Sequence, residues 1–493
     1  FAKPVFTYWL IGASYLVFGV NEFSARFPSA VFGTLLILMQ YLFLTRVATV
    51  NVAWWSTLCL LLNLEMLAIG RMVLTDMILI FFTTLTLFSF WIAFSGERRE
   101  KRWYLVCYIA MAGAMLTKGP VGVIVPLLVV LVFVLLTQNF RKVICEARPF
   151  VGVLLFLCLT LPWYGSMLMI HGVTYLESAQ ANTLGRYANI IGGHGGTILF
   201  YIPVLLLGFF PWSGFLPLAF RDVVSDFKVY RMTGGQGQSL LVFAACWFMV
   251  LFLFFTFSAT RLPHYIAPLF PAAAILVAFP LARFMSGEAR PKGTSAFWII
   301  LVLGTLLGGG LAAFPFVYNQ LVEFIAQEFP MADSVDPGIG ISIIGTVLFI
   351  GSVATAFYGL AAQRVRVAIQ LAAVTIGLSS LLIIHVGFPI FDKNFLSPPH
   401  VLASLAGDCI RADDDLVVYG RTKPSYIFYA RHKIIFSHKG HREPLDRLIN
   451  KGGAITLITQ ERLLSELPTD VQQLPIVKDV AGYVLLSEKT CGT

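Results

Sequence analysis

Two short segments hold ionisable residues where a membrane-embedded chain can least afford them without a purpose. Lys118 stands in Leu-Thr-Lys-Gly-Pro, at the junction where one apolar stretch ends and the next begins at a Gly-Pro turn. A lysine beside a helix N-terminus forms an anion site, so phosphate binding is its functional reading. The bland alternative is a lysine snorkelling to lipid headgroups. Asp76 closes Gly-Arg-Met-Val-Leu-Thr-Asp at the end of a stretch otherwise free of charge. A carboxylate there can orient or deprotonate an acceptor hydroxyl. It can equally cap its helix or pair with Arg71.

Further polar residues cluster in the same way. Arg186, Tyr187 and His194 share a segment ending in Gly-Gly-His-Gly-Gly, whose glycines permit close approach of backbone to a ligand. Arg261 and His264 flank Pro263, which marks a helix start, and a phosphate or a lipid headgroup fits them equally. Glu65 lies deeper in an apolar stretch, where a carboxylate is costly unless paired, and a basic partner is expected for it. There is no Gly-x-x-x-x-Gly-Lys-Ser/Thr sequence, no Gly-x-Ser-x-Gly elbow and no Cys or His pair at zinc spacing. ATP-driven transport is therefore unsupported within the chain, and no metal site is expected.

The elements that must position these groups follow from composition. The chain of 493 residues is 58% hydrophobic and 12% charged, about half the charge of a soluble domain, with a mean hydropathy of +0.80. Spans of about 20 apolar residues are expected in about twelve stretches, centred on 27–45, 51–69, 77–95, 103–117, 120–137, 149–168, 197–219, 239–258, 265–282, 296–316, 339–361 and 367–389. Lys and Arg divide unequally between the two sides of such a chain: sixteen fall in connections on one side, and only Lys3, Arg26, Arg71, Lys118, Arg186 and Arg261 on the other. The basic side is the cytoplasmic one by the positive-inside rule. The net charge of +9 is thus topological in origin rather than a sign of nucleic acid binding.

The remaining Lys and Arg lie beyond residue 392, where the composition becomes that of a soluble domain. Apolar runs at 415–420, 432–437, 454–460 and 483–488, with helical stretches around Tyr426 and Leu445, predict a small α/β unit over 393–493 on the outer, periplasmic side. Residues 390–400, with Pro398 and Pro399, read as a linker. Residues 1–25 read as an outer interfacial segment and 26–392 as the membrane domain. Outer loops are expected at 169–196 and 317–338. Cys409 and Cys491 are the only cysteines of the outer unit, and a periplasmic location permits a bridge between them. The first residue is Phe1, and no signal peptide precedes the apolar stretches, which suggests that the true N-terminus lies upstream.

Taken in order, several motifs resemble the bacterial protein O-mannosyltransferase superfamily, nearest its branch of 4-amino-4-deoxy-L-arabinose transferases that modify lipid A. They are Ala2-Lys3-Pro4, Asn21-Glu22-Phe23, Val73-Leu74-Thr75-Asp76, Leu116-Thr117-Lys118-Gly119, Leu161-Pro162-Trp163, Gly185-Arg186-Tyr187, Tyr201-Ile202-Pro203, Phe210-Pro211-Trp212 and Leu262-Pro263-His264-Tyr265. The resemblance covers about residues 1–285 by motif. It implies a mainly α polytopic membrane protein of GT-C fold with a small C-terminal α/β extramembrane domain. Such enzymes of the bacterial inner membrane pass a sugar, with inversion, from a polyprenyl (undecaprenyl) phosphate donor to a periplasmic lipid A, glycolipid or protein acceptor. Lys3, Lys118 and Arg186 match residues that contact the carrier phosphate, and Asp76 a carboxylate of the cavity.

Two positions depart from the pattern. The family's main catalytic Asp lies upstream of the Lys-Pro motif, where this chain has nothing, so a first span and loop are expected to be missing. The lipid A enzymes hold a metal on two residues that correspond here to Ala2 and Thr183. Neither is a metal ligand. The competing functional class is a lipid-linked sugar transporter or flippase, which also needs a cationic lipid-phosphate site. A third reading makes the spans a mere anchor for the outer unit, for which twelve are excessive.

Overall fold

The computed structural model describes the chain apart from residues 1–2, 191–194, 233–238, 288–294, 327–328, 330–331, 333–334, 411–414, 421–422, 424, 439–442, 452–454 and 489–493, and the side chains of 183–184, 230–231 and 450–451. It forms two compact units, Phe1–Gly304 with Gly351–Gly377, and Thr305–Ile350 with Leu378–Thr493.

The first unit opens with α1 (Phe6–Phe18) and α2 (Glu22–Val47). Asn21 starts α2 through a reciprocal cap: its Oδ1 accepts from Ser24 N at 3.0 Å, and Ser24 Oγ accepts from Asn21 N at 3.2 Å. In α1 the polar Thr7 and Ser14 are buried while Leu16 and Val17 are exposed, the inverted polarity of a helix that meets lipid. Next come α3 (Val50–Leu61) and α4 (Leu64–Ile69), which split the expected 51–69 span. The cause is Asn63, whose side chain leaves the helical path to cap Met66 N at 2.8 Å.

At the centre lies α5 (Asp76–Ser95), charge-free after its first residue and largely buried. It packs against α2, α6 (Trp103–Lys118) and α7 (Val121–Leu136). The rings of Phe90, Trp91, Phe94 and Phe133 interlock with Phe243 of a later helix, Trp91 and Phe133 each 5.1 Å from it, and hold the lower half of α5 in place. Gly119, at a φ of 78° that favours glycine, turns α6 into α7 and leaves Lys118 as the last residue of its helix.

The later helices of this unit are α8 (Phe140–Ala147), α9 (Pro149–Gln180), α10 (Arg186–Ala188), α11 (Tyr201–Gly208), α12 (Leu216–Met232), α13 (Leu240–Thr256) and α14 (Phe270–Ser286). Among the described residues, seven helices are long and apolar enough to cross a membrane, or eight if the bent pair 201–208 and 212–229 counts as one span. Besides the split 51–69 stretch, the expected spans 103–117, 120–137 and 239–258 are helices of 16 or 17 residues, about 25 Å long by rise. The expected loop over 169–196 is replaced as far as residue 180 by α9, which runs on for 32 residues and kinks only at Gly172.

In the second unit the α/β reading holds. β1 (Asp415–Tyr419), β2 (Ile434–Ser437), β3 (Ile455–Gln460), β4 (Ile476–Val480) and β5 (Tyr483–Ser487) form one sheet in the order β2-β1-β3-β5-β4. The first three are parallel, and β5 joins β3 and β4 antiparallel. Both faces of the centre are covered, Leu416 and Val418 packing on one side and Val417 and Tyr419 on the other, which is why these strands read as continuous apolar runs. β4 escapes sequence reading because it is an exposed edge carrying Lys478 and Asp479.

The segment expected as a linker, 390–400, is helical throughout. Pro389, Pro398 and Pro399 sit in the first turns of successive helical stretches, where a missing N–H costs nothing, and a π-turn over Asp392–Leu396 absorbs the misfit. Cys409 is disulfide-bonded and Cys59, Cys107, Cys145, Cys158 and Cys246 are free. Cys491, the expected partner, lies outside the described residues.

Candidate active site

Asp76 is the first residue of α5, and the residue before it, Thr75, makes no side-chain cap. Its carboxylate, 5% exposed, accepts from Lys118 Nζ at 2.6 Å across 42 residues of sequence. Neither of the bland readings holds: Asp76 does not cap its own helix, and its partner is not Arg71. Arg71 stays exposed and donates to the carbonyl of Leu67 at 3.3 Å. Each charge of the pair also sits at a helix end that suits it, the carboxylate at the N-terminus of α5 and the ammonium at the C-terminus of α6.

Tyr265 joins two cations. Its ring lies under Lys118 Nζ, 4.9 Å from the centroid, and its hydroxyl accepts from Arg186 Nη1 at 3.2 Å. Arg186 is held in place by its own backbone, whose carbonyl accepts from Thr260 N at 3.1 Å, while the next carbonyl, of Tyr187, accepts from Ala259 N at 2.8 Å. The Nε of Arg186 is buried and has no partner among the described residues. A guanidinium that keeps such a donor free of protein contacts is poised for an external acceptor.

Lys3 completes the cluster. Burial is the main cause that pushes its pKa down to about 8, and the charges of Lys118 and Arg186 push it further in the same direction against the pull of Asp76. Three cations from the N-terminal segment, α6 and α10 therefore share one field around one carboxylate. That surplus of positive charge favours an anion.

The remaining candidates lie around this centre. His264 packs edge-on against Tyr265, and Tyr187 is 38% exposed against the ring of Phe254. Arg261 donates to the carbonyls of Gly196 and Thr256, tying the chain before α11 to the end of α13. His194 lies outside the described residues, as does Ala2. Glu65 departs from expectation: among the described residues no basic residue pairs with it, its Oε1 is buried without a partner, and its Oε2 lies beside Gly208. No three His, Cys, Asp or Glu side chains converge among the described residues. Tyr265 was not singled out by sequence, although it closes the Leu-Pro-His-Tyr motif; only the fold brings its ring beneath Lys118.

The polytopic helical domain with its small α/β unit is a GT-C fold, as the comparison with solved structures shows. The dolichyl-phosphate-mannose-protein mannosyltransferase family matches residues 2–175. Solved structures of ArnT from Cupriavidus metallidurans, one bound to undecaprenyl phosphate and one in the apo state, share the fold at TM-scores of 0.76 and 0.77, with 20% identity over 99% of this chain and 88% of theirs.

By sequence the chain is similar to the undecaprenyl phosphate-alpha-4-amino-4-deoxy-L-arabinose arabinosyl transferase of Edwardsiella ictaluri, 27% identical over 71% of this chain and 60% of that protein. It is 31% identical to an uncharacterized protein of Aquifex aeolicus over 62% of this chain and 66% of that one. The chain thus spans less than two thirds of the length of the relatives it matches. The resemblance read from the motifs is borne out.

Proposed function

We propose that the protein is a membrane glycosyltransferase that moves a sugar from a polyprenyl-phosphate carrier, undecaprenyl phosphate in bacteria, to an acceptor at the outer face of the inner membrane. The observation that carries this reading is the convergence of Lys3, Lys118 and Arg186 on the buried Asp76. In the reaction the acceptor oxygen attacks the anomeric carbon from the face opposite the carrier, the bond from that carbon to the phosphate oxygen breaks, and configuration inverts. The phosphate leaves with the bonding electrons, so cations stabilise the charge that develops on it more than a strong acid would. One oxygen of Asp76 holds Lys118, and the other is available to orient the acceptor hydroxyl and take its proton.

The topology belongs to the same reading: residues 96–102 face the cytoplasm and residues 393–493 the periplasm. Single-cysteine labelling of intact spheroplasts with an impermeant reagent tests it, and labelling at position 97 but not at 440 reverses the orientation. Transfer is separated from flipping by the fate of the donor. Purified protein in detergent should convert labelled polyprenyl-phosphate sugar to free carrier phosphate plus glycosylated acceptor, whereas a flippase leaves the donor covalently unchanged.

A further inference from the structure

Along α5 from Phe81 to Ile92, α2 and α5 leave a lateral cleft of about 360 Å3 that ends at the C-terminus of α5. Leu38, Leu42 and Leu85 line its length, and Arg46 and Trp103 close one end. Arg46 lies over the Trp103 ring, 5.8 Å from the centroid, and bonds Glu100 through one nitrogen only, with its side chain 45% exposed. A guanidinium offers five donors in a planar fork, so Arg46 retains capacity for a phosphate. The exposed Arg98, Arg99 and Arg102 add to the positive charge of this end.

A second observation points into the cleft. Ser89 is fully buried, borders it, and has an Oγ without a protein partner. It stands six residues before the end of α5, roughly 9 Å below the mouth at the helical rise. The sequence from mouth to interior is therefore cation and indole, then a hydroxyl donor, then hydrocarbon.

We propose that this cleft binds one anionic phospholipid, with its phosphate on Arg46, an ester carbonyl accepting from the Ser89 hydroxyl, and an acyl chain along Leu38, Leu42 and Leu85. The order of groups matches a glycerophospholipid entering from the bilayer, and the excess of cations selects a negatively charged head. The phosphate position is separate from the site at Asp76, since Arg46 contacts Glu100 and Trp103 beyond the opposite end of α5, a helix about 30 Å long.

Native mass spectrometry of the purified protein with phosphatidylglycerol and phosphatidylcholine tests this. Phosphatidylglycerol should be retained in preference. Arg46→Gln should lower its binding on the order of tenfold, the loss of one charge-assisted contact, and lower phosphatidylcholine, whose phosphate is offset by the choline cation, by less, so that the preference between the two lipids shrinks. Leu42→Trp should fill the cleft and lower both lipids, and Ser89→Ala, which adds no bulk, should lower both severalfold. Melting in lipid-free detergent establishes that each variant is folded. Equal retention of the two lipids by the unaltered protein overturns the proposal. So does a folded Arg46→Gln variant with undiminished phosphatidylglycerol binding, and so does displacement of the lipid by soluble glycerol phosphate.

Discussion

The two ends of α5 use the same kinds of residue to opposite effect. At its C-terminus, Lys101 donates to the carbonyl of Ala93 at 2.8 Å and pairs with Glu146 at 2.6 Å, while Lys142 donates to the carbonyl of Phe94 at 3.2 Å. Both lysines are consumed by the unpaired carbonyls and the negative dipole of a helix end. At the N-terminus the helix offers no carbonyls to satisfy. Lys118 is held by a single carboxylate, and Arg186 and Lys3 add charge that the protein leaves in excess. A cation at a helix boundary is thus weak evidence of function until its backbone partners are known.

The largest test of this contrast is Asp76→Asn. If Asp76 takes the acceptor proton, transfer of labelled sugar should fall by about 10²–10⁴-fold while donor binding is largely kept. Near-normal turnover by a folded variant would remove Asp76 from the chemistry. Loss of donor affinity and turnover in parallel would instead make it the residue that positions Lys118.

Paired lysine replacements come next. Lys118→Met should weaken donor binding about 10- to 100-fold, as expected for one charge-assisted contact. Because it leaves Asp76 buried without its partner, the double variant with Asp76→Asn should recover stability without recovering affinity. Lys101→Met should do the reverse, costing about 1.5–3 kcal/mol of stability with donor affinity unchanged. Equal loss of donor affinity in Lys118→Met and Lys101→Met would erase the distinction between the two ends.

A severalfold effect is expected from pH. Lys3 loses its proton around pH 8 in the folded protein, against 10.5 for an ordinary lysine. Between those values the unfolded chain binds more protons than the folded one, so stability without donor should rise with pH across that window. Donor affinity should fall over the same range as the site loses a cation. Lys3→Arg, which stays charged, should flatten both curves. An unchanged affinity profile in that variant would take Lys3 out of the phosphate site.

The smallest effect belongs to Tyr265→Phe, which keeps the ring beneath Lys118 and removes the hydroxyl that Arg186 reaches. Donor affinity should drop about two- to tenfold, the value of one hydrogen bond of roughly 0.5–1.5 kcal/mol. A Tyr265→Ala variant no worse than Tyr265→Phe would show that the ring contributes nothing.

Sequence alone determined the membrane character, most of the apolar helices, four of the five strands and the identities of Lys118, Arg186 and Asp76 as candidates. These features are local: apolar length, alternation and the breaking of charge bias are all read within about 20 residues. What surrounds them was decided elsewhere. Arg71, five residues before Asp76, was the obvious ionic partner by proximity in sequence, yet α6 delivers Lys118 instead because α5 and α6 pack side by side and end at the same level. Glu65 was expected to be paired and finds no basic partner among the described residues, and Tyr265 gained its place only because the turn before α14 passes beneath Lys118. The extension of α9 through residue 180 and the helical course of 390–400 follow the same logic, since glycine and proline signal breaks that neighbouring turns can absorb. Periodicity and punctuation record what a segment can do by itself, whereas a salt bridge across 42 residues depends on which helices share a boundary, and that is settled by packing.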